Sequence, residues 1–337
     1  MAKIVFFEVE NWEEDYIKNN LSGEDITLTQ EKLTFETVSK YPDVEIVSTF
    51  IYSTLTKEVL EQLPNLKFIA TRSMGFDHID IGYCKDKNIP VSYVPSYGSH
   101  TVAEHAFAIL LAISRKIVPS VERAKKGDFS SEGLEGFDLN GKTIGVIGVG
   151  HIGRNVVKIA RAFGMNVLVF SHHVDEELAK DPQIKFVDLD TLLAGADVIT
   201  LHVPHTPQTE HMINCENLGK IKKGAVLINT ARGALVETSA IAEGLENGTF
   251  IAAGLDVLEE ETPLREEKEL ISREYLDKID VKTELINHVL LTRDDVIITP
   301  HNAFNSKQAV QEILETSVAN IKNYINNSPS NLVEQKS

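Results

Sequence analysis

Basic charge is scarce in this chain. Its 337 residues carry 33 Lys and Arg against 50 Asp and Glu, a net charge of −17. A surface of that sign repels a phosphate backbone, which argues against general nucleic-acid binding. It leaves room for a small anionic substrate, because one arginine can dominate one pocket. Cysteine is nearly missing as well: Cys84 and Cys215 stand alone. Two thiols so distant in sequence form neither a disulfide framework nor a zinc site, so no metal and a reducing cytoplasm are expected. No apolar run approaches the ~18 residues that would cross a bilayer, and no membrane contact is expected. The opening MAKIVFFEVE turns acidic too early for a signal peptide.

What is present is an alternation. Short apolar runs, IVFFEV (4–9), VEIVSTFI (44–51), KFIA (67–70) and VSYV (91–94), form a first set. A second set follows: IGVIG (144–148), VLVF (167–170), DVITLHV (197–203), AVLIN (225–229), AAGLDV (252–257) and VIIT (296–299). Runs this short and apolar on both sides suit parallel strands covered on both faces. Stretches of helical period separate them, so an α/β fold with two doubly wound parallel-sheet domains is expected. TVAEHAFAILLAISRKI (101–117) reads as one buried helix, 127–142 as a glycine-rich loop and 306–326 as an amphipathic helix. The polar end NNSPSNLVEQKS is expected to fray.

One turn carries chemistry. After the strand KTIGVIG come Gly148, Val149, Gly150, His151, Ile152 and Gly153, then the helical stretch IGRNVVKIARAF. A lone GxGxxG is weak, but between a strand and a helix it marks a Rossmann dinucleotide site. Gly148 permits the turn, Gly150 lets backbone approach the pyrophosphate, and Gly153 lets helix and strand pack. The free N–H groups at the helix start, His151 and Ile152 among them, hold phosphate.

The next strand ends unusually. An acid normally binds the adenosine ribose there, but this chain has Ser171, His172 and His173, with Asp175 further on. A hydroxyl and two imidazoles do not repel a 2′-phosphate, so NADP(H) as well as NAD(H) is admitted. A solvated turn is the plain alternative. A metal reading is weak, because adjacent side chains on an extended segment point apart.

Three more strand ends carry polar groups: Thr230, Arg232 and Gly233 after AVLIN, Asp256 and Glu259 to Glu261 after AAGL, and His301 and Phe304 after VIIT. Ligands of open α/β sheets bind beyond the carboxyl ends of strands. A guanidinium grips a carboxylate in two places, and a histidine gives a proton to an oxygen as hydride reaches its carbon. A neighbouring carboxylate orients that histidine and favours its charged form. Each residue alone is as well explained by a surface ion pair, a structural histidine or a solvated acidic patch. Their joint appearance favours reduction of a 2-keto acid.

RSMGFDHID, VPSYGSHTVAEHA, GVIGVGHIGR, LHVPHTPQT, INTARGALV, GLDVLEEETP and ITPHNAF occur in that order over nearly the whole chain. On these segments the chain resembles the D-isomer-specific 2-hydroxyacid dehydrogenases, most of all their D-lactate dehydrogenase branch. The resemblance implies a catalytic set of Arg232, Glu261 and His301. It places Asp256, Thr230 and Ala231 at the nicotinamide end of the cofactor, and Val203 and Pro204 on the adenine side. It sets the substrate carboxylate against backbone around Met74 and Gly75, with Tyr52, Tyr97 and Phe304 closing a small pocket. It divides the chain into a discontinuous, flavodoxin-like substrate domain (1–100 and 302–337) and a dinucleotide-binding domain (101–301), and implies a homodimer. Glu104 and His105 are read as structural.

The expected activity is NAD(P)-dependent reduction of pyruvate to D-lactate. A glyoxylate, hydroxypyruvate or bulkier 2-keto acid reductase is the alternative on the same machinery. A dinucleotide-sensing corepressor that binds protein partners is the alternative of another class. Two departures from the family stand out. One is Ser171–His173 in place of an acid. The other is the long charged stretch between Glu261 and His301.

Overall fold

A computed structural model of the chain describes residues 1–259 and 281–334. Two compact units result, one built from Met1–Gly98 and Ser306–Ser337, the other from Ser99–Asn305.

The first unit is a five-stranded sheet in the order β2-β1-β3-β4-β5, with every pairing parallel. Its strands are β1 (Lys3–Phe6), β2 (Asp25–Leu28), β3 (Ile46–Thr49), β4 (Phe68–Thr71) and β5 (Val91–Ser92). Side chains alternate across a strand. Ile4, Phe6, Ile46 and Phe68 therefore pack on one face, and Val5, Phe7, Val47 and Ile69 on the other. Both faces are covered, which is why these strands are apolar throughout. The helix Lys307–Ile325 covers the first face with Leu314, Val318 and Ile321, and Tyr324 stacks on Phe68 at 4.1 Å. Each such buried aliphatic contributes about 1.5–3 kcal/mol, so packing rather than propensity holds the helix. Ser306 caps it by accepting from the Ala309 amide.

The second unit is a seven-stranded parallel sheet ordered β12-β11-β10-β9-β6-β7-β8. It runs through β6 (Thr143–Ile147), β7 (Asn166–Phe170), β8 (Ile184–Phe186), β9 (Val198–Leu201), β10 (Ala225–Asn229), β11 (Phe250–Leu255) and β12 (Val296–Ile298). Helices Ser99–Ser114 and His151–Ala162 cover one face. Leu189–Gly195, Thr238–Glu246 and Val281–Leu291 cover the other. The order reverses between β6 and β9, the switch point where a doubly wound sheet opens a crevice at its carboxyl edge.

Three expectations need correction. The stretch 101–117 is not one helix. It stops at Ser114, Lys116 turns left-handed at φ 52°, and Ile117–Lys125 starts anew. Pro119 explains the break, since it lacks an N–H and its ring would collide with the preceding turn of a continuous helix. The polar end does not fray before residue 334. Asn331 and Val333 make backbone bonds with Tyr93 and Val91, closing the β5 edge, and Val333 is buried. Two edge strands, β2 and β8, escape the apolar-run reading because polar residues interrupt them, Asp25 and Thr27 in β2 and Lys185 in β8.

Candidate active site

Gly148 takes φ 92° at the end of β6, and its amide donates to Phe170 O at 2.8 Å, tying the turn to β7. Gly153 lies so close to the Gly148 carbonyl that any Cβ would overlap it. The helix His151–Ala162 therefore starts against the turn, its first amides lacking helical acceptors. Beyond β9, the Val203 side chain packs against Gly148, and Pro204 follows, exposed.

Ser171, His172 and His173 follow β7 directly; both histidines are exposed and Ser171 half-buried. Asp175 turns away from solvent to pair with Arg154, and it accepts from the Glu177 and Leu178 amides. Burial alone would raise its pKa; these bonds and the Arg154 charge hold it below the ordinary carboxylate value. Among the described residues no group of three or more His, Cys, Asp or Glu could hold a metal ion.

Arg232 lies just past β10. Asn229 braces it, accepting from the Ala231 amide at 3.1 Å and donating to the Arg232 carbonyl at 2.9 Å. Gly233 abuts the Leu258 carbonyl, where a Cβ would overlap backbone. This close approach packs the Arg232 segment onto the turn after β11. In that turn Glu259 is committed elsewhere: it accepts from the Thr238 amide and hydroxyl at 2.6 Å each, and meets His211 Nε2 at 2.6 Å. Glu261 lies outside the described residues.

Asp256 is wholly buried just past β11. Its carboxylate accepts from the Asn302 amide at 3.0 Å, the Ala303 amide at 2.8 Å and the Thr299 hydroxyl. The Thr299 oxygen meets His105 Nε2 at 3.1 Å, and that nitrogen lies 3.4 Å from Asp256. Between Thr299 and Asn302 sits His301, in the left-handed region at φ 52°. A non-glycine residue there costs on the order of 1–2 kcal/mol, so something must hold it. The Asp256 clamp supplies that restraint. Burial alone would raise the Asp256 pKa; the bonds from His105, Thr299, Ala303 and Asn302 outweigh it and hold the group ionised below the usual value. Arg232, Asp256 and His301 thus stand past the ends of β10, β11 and β12, which are neighbours in the sheet.

Asp256 does not present its carboxylate to an open crevice. Its Oδ1 accepts from the Thr299 hydroxyl and the Asn302 amide and its Oδ2 from the Ala303 amide, bonds that restrain the turn carrying His301. His105, read from sequence as structural, joins this cluster through a contact 194 residues away that no local pattern reveals. Phe304 is half-buried beyond the clamp, within the second unit.

In the first unit, Tyr52, Met74, Gly75 and Tyr97 lie beyond the carboxyl ends of strands or in the loop after β5. Ser73 fixes the 74–75 segment, bonding the Thr71 hydroxyl at 2.6 Å and donating to the Gly75 carbonyl. Tyr52 is partly exposed, edge-on to Phe50.

The residues fit a dinucleotide. Thr230 Oγ1, Asn302 Oδ1 and His202 Nδ1 are buried without hydrogen-bond partners among the described residues, at the ends of β10, β12 and β9. Buried polar atoms are ordinarily paired, so three orphans along one sheet edge mark where a polar ligand belongs. Burial pushes the His202 pKa down to about 3, leaving a neutral ring.

Comparison with known proteins supports the same reading. The family model described as D-isomer specific 2-hydroxyacid dehydrogenase, NAD binding domain, matches residues 107–303. A 2-hydroxyacid dehydrogenase homolog of Zymomonas mobilis is 37% identical over 324 residues, covering 95% of this chain and 96% of its own. A hydroxypyruvate reductase of Thermotoga maritima is 35% identical over 294 residues, covering 87% and 89%. The D-lactate dehydrogenase of Aquifex aeolicus, solved with NAD and lactic acid, superposes with a TM-score of 0.87 at 36% identity, over 99% of this chain and 100% of that one.

Proposed function

The chain belongs to the D-isomer-specific 2-hydroxyacid dehydrogenase family, and on that premise we propose that it reduces pyruvate to D-lactate, with Arg232, Glu261 and His301 as its catalytic set. The observation that carries this reading is the clamped, left-handed His301 at the sheet edge shared with Arg232. Reduced nicotinamide, when bound, supplies the hydride that reaches the keto carbon. Arg232 binds the substrate carboxylate and polarises the keto oxygen. His301 gives its proton to that oxygen as the C–H bond forms, and recovers one from solvent. Glu261 orients the imidazole.

Gly148, Gly150, His151, Ile152 and Gly153 would hold the pyrophosphate, and Val203 and Pro204 the adenine side. Thr230 and Ala231 would line the nicotinamide end, with Asp256 behind them as the clamp. The resemblance assigns Tyr52, Met74, Gly75, Tyr97 and Phe304 to substrate contact. Ser171, His172 and His173 make NADP(H) acceptable alongside NAD(H). A homodimer would cover Ile117, Val118 and Val121, exposed on a helix that buries no residue.

A hydroxypyruvate reductase is the second reading, favoured by the Thermotoga maritima relative. Initial rates on pyruvate, hydroxypyruvate, glyoxylate and phenylpyruvate, each with NADH and NADPH, decide between them. Pyruvate should show the highest kcat/KM. A higher value on hydroxypyruvate installs the second reading, and no turnover on any removes both.

A further inference from the structure

The first unit holds a buried charge cluster that this mechanism does not use. Arg72, at the end of β4, is 2% exposed. Its Nη2 donates to the carbonyls of Phe7 and Glu8, both at 2.8 Å, past the end of β1. Its Nε faces Glu13 Oε1 at 3.5 Å, and Glu13 is itself buried. Its backbone amide donates to Thr49 O at 2.7 Å, at the end of β3. Arg72 thus joins three strand ends at the carboxyl edge of the sheet, β1 through its guanidinium and β3 through its backbone amide at the end of β4, beside the switch point between β1 and β3.

Glu8 completes the cluster. It is a non-glycine residue at φ 56°, a conformation that persists only where surroundings over-determine it and that gathers at functional sites. Its carboxylate accepts from the Phe50 amide. The Tyr52 amide and Ser53 hydroxyl also favour its charged form, as does Arg72, against a larger opposing effect of burial. Glu8 therefore grips the 50–53 segment at the Phe50 amide with its side chain, and Arg72 with its carbonyl. Arg72 in turn leads directly into Ser73, Met74 and Gly75.

We propose that Glu8 is a positioning residue that sets the two substrate-facing segments of the first unit, 50–53 and 72–76, through the Phe50 amide and Arg72. The proposal rests on the substrate roles given above to Tyr52, Met74 and Gly75. Glu8 touches no substrate. Its carboxylate keeps the 50–53 segment, and its carbonyl the Arg72 segment, in the geometry that receives the keto acid, so removal of the side chain weakens substrate capture more than chemistry.

The test pairs amide hydrogen exchange with kinetics on the full-length protein. Glu8→Ala should speed exchange of peptides covering 50–53 by about tenfold, with a smaller effect on 72–76, still held by the carbonyl of residue 8, and none on peptides of the second unit. It should raise the KM for pyruvate about tenfold while kcat moves less than about threefold, because the lost geometry serves binding. Glu8→Gln, which keeps an acceptor for the Phe50 amide, should restore both to within about threefold of wild type. Should Glu8→Ala fail to fold, Glu8→Asp, one methylene short, replaces it with the same direction of change. Unchanged exchange overturns the proposal whatever the activity. Faster exchange with an unchanged KM overturns it too, by confining Glu8 to packing. Wild-type inactivity on every 2-keto acid removes the activity reading and leaves exchange to decide the positioning.

Discussion

Asp256 Oδ2 accepts the Ala303 amide at 2.8 Å, and this bond, with its companion from Asn302, anchors the left-handed turn at His301. Asp256→Asn replaces one acceptor oxygen with a donor facing a donor. Leaving a buried N–H unpaired costs about 1–3 kcal/mol. The expected outcome is a kcat at least about tenfold lower, since a small misplacement of an acid is costly. NADH affinity, measured by fluorescence titration, should hold within about threefold if the clamp acts on the turn alone. An unchanged kcat would show that the clamp is dispensable.

The same group sets an acid limit. Its folded pKa lies below the ordinary aspartate value of 3.8. The stability it contributes is therefore fully present above 3.8 and is lost as pH falls through the depressed folded value. Thermal melts of wild type and Asp256→Asn should differ most above pH 3.8 and converge as pH falls below it, through the depressed folded value. A constant difference across that range contradicts the assignment.

Two glycines of the phosphate turn should respond differently. Gly153→Ala overlaps the Gly148 carbonyl and should lower stability together with nucleotide affinity. At Gly150 a Cβ meets nothing within 4 Å. Gly150→Ala should fold as wild type yet bind NADH about tenfold more weakly, because the methyl enters the path of the pyrophosphate. Melting temperature and Kd, measured together, separate the two effects.

At the ribose, Ser171→Asp should lower the NADPH-to-NADH ratio of kcat/KM by about tenfold or more, by placing a carboxylate against the 2′-phosphate. No change in the ratio would reduce Ser171, His172 and His173 to a solvated turn.

The thiols give a check on the fold itself. Burial, with Asp80 nearby, pushes the Cys84 pKa up to about 12, while Cys215 is exposed. Native protein should expose one thiol to an aromatic disulfide reagent and two after denaturation. Fast reaction of both in the native protein contradicts the first-unit core.

Much of this was legible in sequence for a physical reason. Apolar strands show as continuous runs, and ten of the twelve strands among the described residues match one. The edge strands β2 and β8 do not, because Asp25 and Thr27 interrupt the first and Lys185 the second. The placement of Gly148, Arg232, Asp256 and His301 just past strand ends was legible too, because each follows an apolar run directly. What sequence hid is pairing at a distance. That Asp256 serves the His301 turn, that His105 reaches Thr299, and that Arg72 joins three strand ends are facts of topology. Nothing within ten residues of any of them signals it, at roughly the window over which periodicity speaks.

The most direct test is pyruvate reduction by His301→Asn at saturating nucleotide. A positioned general acid contributes about 10²–10⁴-fold, so kcat should fall within that range while NADH still binds. Turnover equal to wild type would contradict the account.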